Sequence, residues 1–180
     1  MKRVAFALLL ACASLAIAEA PRIKRSAMET LERTFDQMLA TSPEPCELLG
    51  NTRGIYLDNY GAVFTALANL VYTPTPNPFR PAISPAEIHT LHERKSRKVT
   101  ALEGQMKQML VNMAASSALD SVRPTEQIVC GVSLFYYSWE DVKGLPSQIV
   151  VQGEKQKLLE IQTGRAPKTE LDNVVKVQKL

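Results

Sequence analysis

The two histidines of the chain, His89 and His92, are the residues best suited by type and spacing to metal chemistry. They stand three residues apart in a stretch predicted to be helical, so both side chains would lie on one face of that helix. Glu87 and Glu93 could add carboxylate ligands, and a small metal-dependent hydrolase would result. We favour the alternative, a solvated and charged helix face, because the chain has no HExxH motif and no cysteine close by in sequence.

Other catalytic motifs are missing from the sequence. It contains no GxSxG, no Walker loop and no GxGxxG, and its 8 glycines are not clustered. A Cys–His pair would need Cys46 or Cys130 beside a histidine, but Cys130 falls in the middle of a predicted strand, where a buried thiol is inert. We therefore predict no catalytic residue and no cofactor.

The densest aromatic group is the run FYYSW at 135–139. On the end of a strand these side chains would point to both sides. Tyr136, Tyr137 and Trp139 could form a platform that binds a glycan or a peptide. The alternative is a set of core aromatic residues with one ring at the rim.

The first eighteen residues have the pattern of a secretory signal peptide. Lys2 and Arg3 precede an apolar run at 4–17, and a small-x-small motif ends at Ala18. Cleavage after Ala18 is preferred to cleavage after Ala20, because a proline would follow the second site. The apolar run is shorter than the roughly 20 residues that span a bilayer. We expect a secreted or periplasmic protein with no transmembrane segment after the signal.

Three cysteines bear on processing and on the redox state. Leu9-Leu10-Ala11-Cys12 loosely resembles a bacterial lipobox, which makes a lipoprotein the minor alternative. Removal of the signal would leave Cys46 and Cys130, an even pair that predicts a disulfide in an oxidising compartment. The alternative is two separate buried thiols, since unpaired cysteine is often buried.

Composition and charge describe an ordinary globular domain. The chain has 180 residues, 46% of them hydrophobic and 22% charged, with a net charge of +3. Removal of residues 1–18 takes away two bases and no acid, which leaves about +1. This balance argues against nucleic acid as a partner. We predict one domain at 19–164 and a loosely ordered tail at 165–180.

The clearest structural signal is RGIYLDNYGAVFTALANLV, which predicts a β-hairpin at 54–71. The turn DNYG suits a left-handed glycine at Gly61. Both faces of the second strand are largely apolar, so we expect it to be covered on both sides or to be central in its sheet. Any function beyond folding would be sought first at Asp58, Asn59 and Tyr60 in the turn.

The other elements complete an α+β pattern with an antiparallel sheet. Ser84, Pro85 and Glu87 predict the start of a long helix at 85–117, with a proline-rich segment before it. Its Met-rich second half is expected to cover the sheet, while its charged first half projects or meets a partner. Further strands are predicted near 127–137 and 148–152, and shorter helices at 26–40 and 154–163.

This element order, opened by the hairpin GIYLDNYGAVF, resembles the roadblock and longin type of small α/β/α sandwich. Those domains mostly serve in dimerisation and scaffolding, although the proline-rich segment and the long helix depart from them. RGIYLDNYGAVFT and LFYYSWEDVKGLPSQIVV are similar to stretches of uncharacterised secreted bacterial proteins, which implies a compartment and no chemistry. We expect a non-catalytic interaction or envelope-associated module with a protein or envelope partner. A homo-oligomer would form through the long helix.

Overall fold

A computed structural model describes residues 23–41, 44–79 and 82–180; the predicted signal peptide and Cys12 lie outside these ranges. Within them the chain has the predicted α+β class, with four α-helices and a six-stranded sheet. The helices are α1 (Arg25–Thr41), α2 (Pro85–Ala114), α3 (Lys155–Gln162) and α4 (Leu171–Val174). The strands are β1 (Glu47–Leu48), β2 (Arg53–Leu57), β3 (Gly61–Asn69), β4 (Gln127–Leu134), β5 (Gln148–Glu154) and β6 (Lys176–Lys179).

The sheet is mostly antiparallel and has the order β1-β3-β4-β5-β6, with β2 also paired to β3. The exception is the central pair. β3 and β4 run parallel, from Gly61 opposite Gln127 to Ala68 opposite Leu134. Parallel neighbours need a long crossover connection, and α2 supplies it. The sequence indicated the antiparallel sheet but not this pair, because strand direction depends on the route of the connection.

The predicted hairpin forms between β2 and β3, but its turn differs in detail. Asn59 adopts the left-handed conformation with φ 62°, and Gly61 has φ 134°. A Cβ atom on Gly61 would lie 1.9 Å from the carbonyl oxygen of Gln127. The backbone N–H of Gln127 donates to the carbonyl of Tyr60 at 2.7 Å. Glycine is therefore required because the start of β4 approaches the hairpin closely.

Helices α1, α2 and α3 all pack on the same face of the sheet. A Cβ on Gly54 would touch Met28 of α1, and one on Gly153 would touch Leu158 of α3. On β3 this face carries a row of buried side chains: Ala62, Phe64, Ala66 and Ala68. On the opposite face no helix of the described ranges packs across β3, and Leu67 is 43% exposed there. Helix α4 borders that face only beside β5 and β6, where Val174 lines a cavity with Gln152 and Lys176. Coverage of β3 on both sides is therefore wrong, and the other expectation, a central position in the sheet, is confirmed because β2 and β4 flank it.

Helix α2 begins as predicted and ends three residues early. Ser84 caps it with the expected capping box, in which the Glu87 N–H donates to the Ser84 hydroxyl. The second half packs Leu102 and Met106 into the core. The first half does not project as expected, because Lys95 and the neighbouring lysine at 98 are buried against other elements.

Residues 165–180, where a loosely ordered tail was predicted, contain α4 and β6 in the structure. β6 pairs antiparallel with β5, so it forms one edge of the sheet. The ammonium of Lys179 lies 3.0 Å from a carboxylate oxygen of Glu103 on α2, and Lys107 reaches Asp172 at 2.9 Å. Strand pairing and ion pairs thus connect this segment to the rest of the domain.

The predicted disulfide is wrong, because Cys46 and Cys130 are separate buried thiols. Cys46 precedes Glu47, which lies opposite Asn69 at the end of β3. Cys130 lies opposite Phe64, five residues earlier along the same strand. At about 3.3 Å per residue, the positions of Cys46 and Cys130 measured along β3 are therefore roughly 17 Å apart. A disulfide needs Cα atoms within about 7 Å.

We expect reductant to leave the melting temperature unchanged. Burial raises the pKa of both thiols, so the folded protein should react slowly with iodoacetamide. After unfolding without reductant, peptide mapping should find Cys46 and Cys130 both alkylated. A disulfide-linked peptide pair from these two positions would contradict the structure.

Candidate functional site

The carboxyl ends of the parallel strands β3 and β4 meet at one edge of the sheet, where ligand sites of α/β proteins often lie. β3 leads into the proline-rich segment, and β4 leads into the aromatic run. The first half of α2 lies beside this edge, since the Nδ1 atom of His92 lies 2.9 Å from the carbonyl oxygen of Asp141. The structure thereby places His92, one of the two candidate metal ligands, beside the loop that follows the aromatic run.

A buried ion pair anchors the aromatic run to α2. The Lys95 ammonium lies 2.5 Å from the Glu140 carboxylate, and the two side chains are 0% and 2% exposed. The other carboxylate oxygen of Glu140 accepts the Tyr137 N–H at 3.1 Å. Burial lowers the pKa of Lys95, while the hydrogen bond that its ammonium donates to Glu140 acts in the opposite direction. A local sign of this pair is visible in the sequence, because Lys95 interrupts the apolar pattern of the segment that forms α2.

The aromatic rings pack mainly on one another. Tyr137 and Trp139 are stacked with centroids 5.8 Å apart, and Phe135 meets Tyr137 edge to face at 5.0 Å. The Tyr136 hydroxyl donates to the Pro146 carbonyl at 2.7 Å, and burial raises the pKa of Tyr136 to about 12. The stacking covers one face of Tyr137 and one face of Trp139. Glycan binding stays a prediction that the fluorescence of Trp139 can test.

The two histidines do not converge on a shared ligand set. His89 is exposed, with Nδ1 3.9 Å from the carboxylate of Glu93. His92 directs its Nδ1 to the backbone of Asp141, and Glu87 caps the helix. Across the residues that the structure describes, no group of three His, Cys, Asp or Glu side chains could hold a metal ion. The metal-dependent hydrolase stays a prediction without a third ligand.

The hairpin turn is held by a polar network. Arg123 donates to the side-chain oxygens of Asn59 at 2.6 Å and Asp58 at 3.3 Å. Glu126, which is buried, accepts the Tyr56 hydroxyl at 3.0 Å and the Arg123 N–H at 2.9 Å. These side chains connect the hairpin to the start of β4, so the turn has a clear structural role.

The uncovered side of the sheet is the largest feature that the sequence reading missed. We name it the open sheet face. Its residues are Ile55, Leu57, Val63, Thr65, Leu67, Val129, Ser133, Gln148, Val150, Gln152 and Gln178. Ile55, Leu57 and Leu67 are 52%, 42% and 43% exposed. Val129 is buried but lies outside the helix-side core, because neighbours on the open sheet face surround it.

The open sheet face divides into two halves of different chemistry. The apolar half lies on β2 and β3 and carries the side chains of Ile55, Leu57, Val63 and Leu67. The amide half lies on β5 and β6 and carries Gln148, Gln152 and Gln178, whose side chains have no hydrogen-bond partner among the described residues. Glu154 and Lys176 are charged groups at the margin of the amide half, and Arg53 is a charged group on β2, opposite Thr65 in the middle of β3.

Comparison with protein-family models, with curated proteins and with solved structures gave no match. In the ranges that the structure describes, no helix combines the length and apolarity needed to cross a bilayer.

Proposed function

We propose that the protein is a non-catalytic interaction module whose open sheet face binds another protein. The observation that carries this proposal is the exposure of Ile55, Leu57 and Leu67 on one face of the sheet, over strands that no helix of the described ranges covers. Exposed apolar patches on soluble proteins often mark interaction sites. A broad sheet face of this kind suits a protein partner better than a small molecule, which usually occupies a concave pocket.

The state of the buried charged groups supports a non-catalytic role. Lys95 and Glu140 pair with each other, and Lys155 donates to the carbonyls of Leu119 and Val122 at 2.6 and 2.8 Å. A general acid or base must reach the substrate. The side chains of Lys95, Glu140 and Lys155 instead bind groups inside the protein.

The proposed place of action is outside the cytoplasm, in the periplasm or beyond. The support is the signal-peptide pattern at 1–18, with Glu19 as the first residue of the processed protein. Lipidation at Cys12 is the minor alternative. An envelope protein or a second secreted chain would then be the partner.

The test is photo-crosslinking in cells that export the protein. A photoreactive residue at Leu67 should give a discrete crosslinked product in the extracytoplasmic fraction, from a protein whose N-terminus is Glu19. The same residue at Arg97, which is exposed on α2, is the matched control and should give none. Identical patterns at the two positions, or no product at Leu67, would overturn the proposed binding surface. A protein confined to the cytoplasm would overturn the proposed compartment.

A further inference from the structure

We infer that the partner of the open sheet face is a second copy of this chain, packed face to face in a twofold dimer. This inference rests on the proposed function, since it names the occupant of the same surface. Two sheets that pack face to face lie about 10 Å apart, with their side chains interdigitated.

The sheet edge at β2 is closed to association through strand addition. Glu32 of α1 accepts the Gly54 N–H at 2.6 Å, and Asp36 accepts the Thr52 N–H at 2.9 Å. Arg25 donates to the Gly54 carbonyl at 3.2 Å. Helix α1 thus occupies backbone groups that a strand from another molecule would need.

The opposite edge, β6, is a poor template for a new strand. It has four residues, of which Lys176 and Lys179 are charged. Short edge strands that carry lysine discourage pairing with another chain. With both edges unsuited to pairing, the open sheet face is the surface through which two sheets can associate.

The dimensions of the face approach those of a stable interface. Five strand positions at about 4.8 Å give a width of roughly 24 Å, and the nine residues of β3 give a length of about 30 Å. The other strands are shorter, down to four residues in β6, so the area that the strands fill is roughly 550 Å² per copy. The lower end of the range for stable complexes is about 600 Å² per partner.

The two halves of the face make it complementary to itself. A twofold axis in the plane of the interface, perpendicular to the strands, sets each strand opposite its own copy. The apolar half then meets an apolar half, with Ile55 and Leu67 near the contact. The amide half meets an amide half, and glutamine side chains can both donate and accept hydrogen bonds. The two central strands, β3 and β4, carry no charged side chain on this face. Arg53 of β2 would lie near its own copy at the rim of the interface, where solvent and salt screen the charges.

Sedimentation equilibrium on the protein starting at Glu19 tests this inference. The wild type should form a dimer, and Leu67→Glu should weaken association at least about 100-fold, because a carboxylate would be buried in the interface. Val142→Glu is the matched control: Val142 is 46% exposed but lies in the loop after the aromatic run, and its dimer should persist. Thr65→Glu is a second variant at an exposed face position whose folding does not depend on an apolar contact. Circular dichroism should show that each variant is folded.

The outcomes separate this inference from the proposed function. A dimer unaffected by both Leu67→Glu and Thr65→Glu would overturn the inference, because the copies would use another surface. A monomeric wild type whose Leu67 crosslinks to a different protein would overturn the inference and support the proposed function. A monomer with no crosslink at Leu67 would overturn both.

Discussion

Replacing Glu140 with alanine is expected to lower the free energy of unfolding by about 3–5 kcal/mol. The substitution leaves the Lys95 ammonium buried without its partner, and it also removes the acceptor of the Tyr137 N–H. The loop that carries the aromatic run should lose its attachment to α2. Urea unfolding followed by circular dichroism measures the change, and the emission of Trp139 reports on the loop.

Two further variants separate the ion pair from a general effect of losing a carboxylate. Glu93→Ala removes an exposed carboxylate two residues before Lys95 on α2 and should change stability by less than about 0.5 kcal/mol. Lys95→Met combined with Glu140→Leu replaces the pair with apolar side chains and should recover most of the loss. If Glu140→Ala costs no more than Glu93→Ala, the buried pair contributes nothing to the stability of the fold.

Gly61→Ala is expected to cost about 2–5 kcal/mol, because two effects combine. Gly61 has φ 134°, a backbone conformation that residues other than glycine rarely adopt. Its new Cβ would also lie 1.9 Å from the Gln127 carbonyl oxygen, so the start of β4 must move. Thermal and urea unfolding should both show the loss.

The matched control is Gly104→Ala in the middle of α2. A Cβ at Gly104 meets no atom within 4 Å, and alanine favours the helix by roughly 0.5–1 kcal/mol over glycine. The two substitutions are chemically identical and should change stability in opposite directions. Equal effects would mean that β4 does not approach the hairpin as closely as the structure places it.

The sequence predicted best those features that depend on neighbouring residues. The capping box at Ser84, the hairpin around Asn59 and the strand at 148–152 each follow from a few adjacent side chains. Of the candidate site residues, the aromatic run lies directly after β4, which ends at Leu134, whereas the sequence placed Tyr136 and Tyr137 inside the strand. Its attachment to α2 was not predictable, since it depends on the ion pair of Glu140 with Lys95, 45 residues earlier in the chain.

The apolar pattern of β3 shows a case in which sequence periodicity fails to predict which faces of a strand are covered. Alternate residues on both faces are apolar, which is typical of a strand covered on two sides. The structure covers the alanine face and leaves Leu67 on the open sheet face. A partner outside the chain and a helix inside it favour the same apolar residues, so the sequence does not distinguish them.

The sequence by itself determined the α+β class and the approximate positions of the main helices and strands. Periodicity, caps and turns are local, and their physical causes act within a few residues. Only the tertiary structure decided the parallel pairing of β3 and β4, the separation of Cys46 from Cys130 and the uncovered face of the sheet. Each of these depends on which distant segments pack together, a choice made by the burial of the whole core. The surface proposed for binding belongs to this second group.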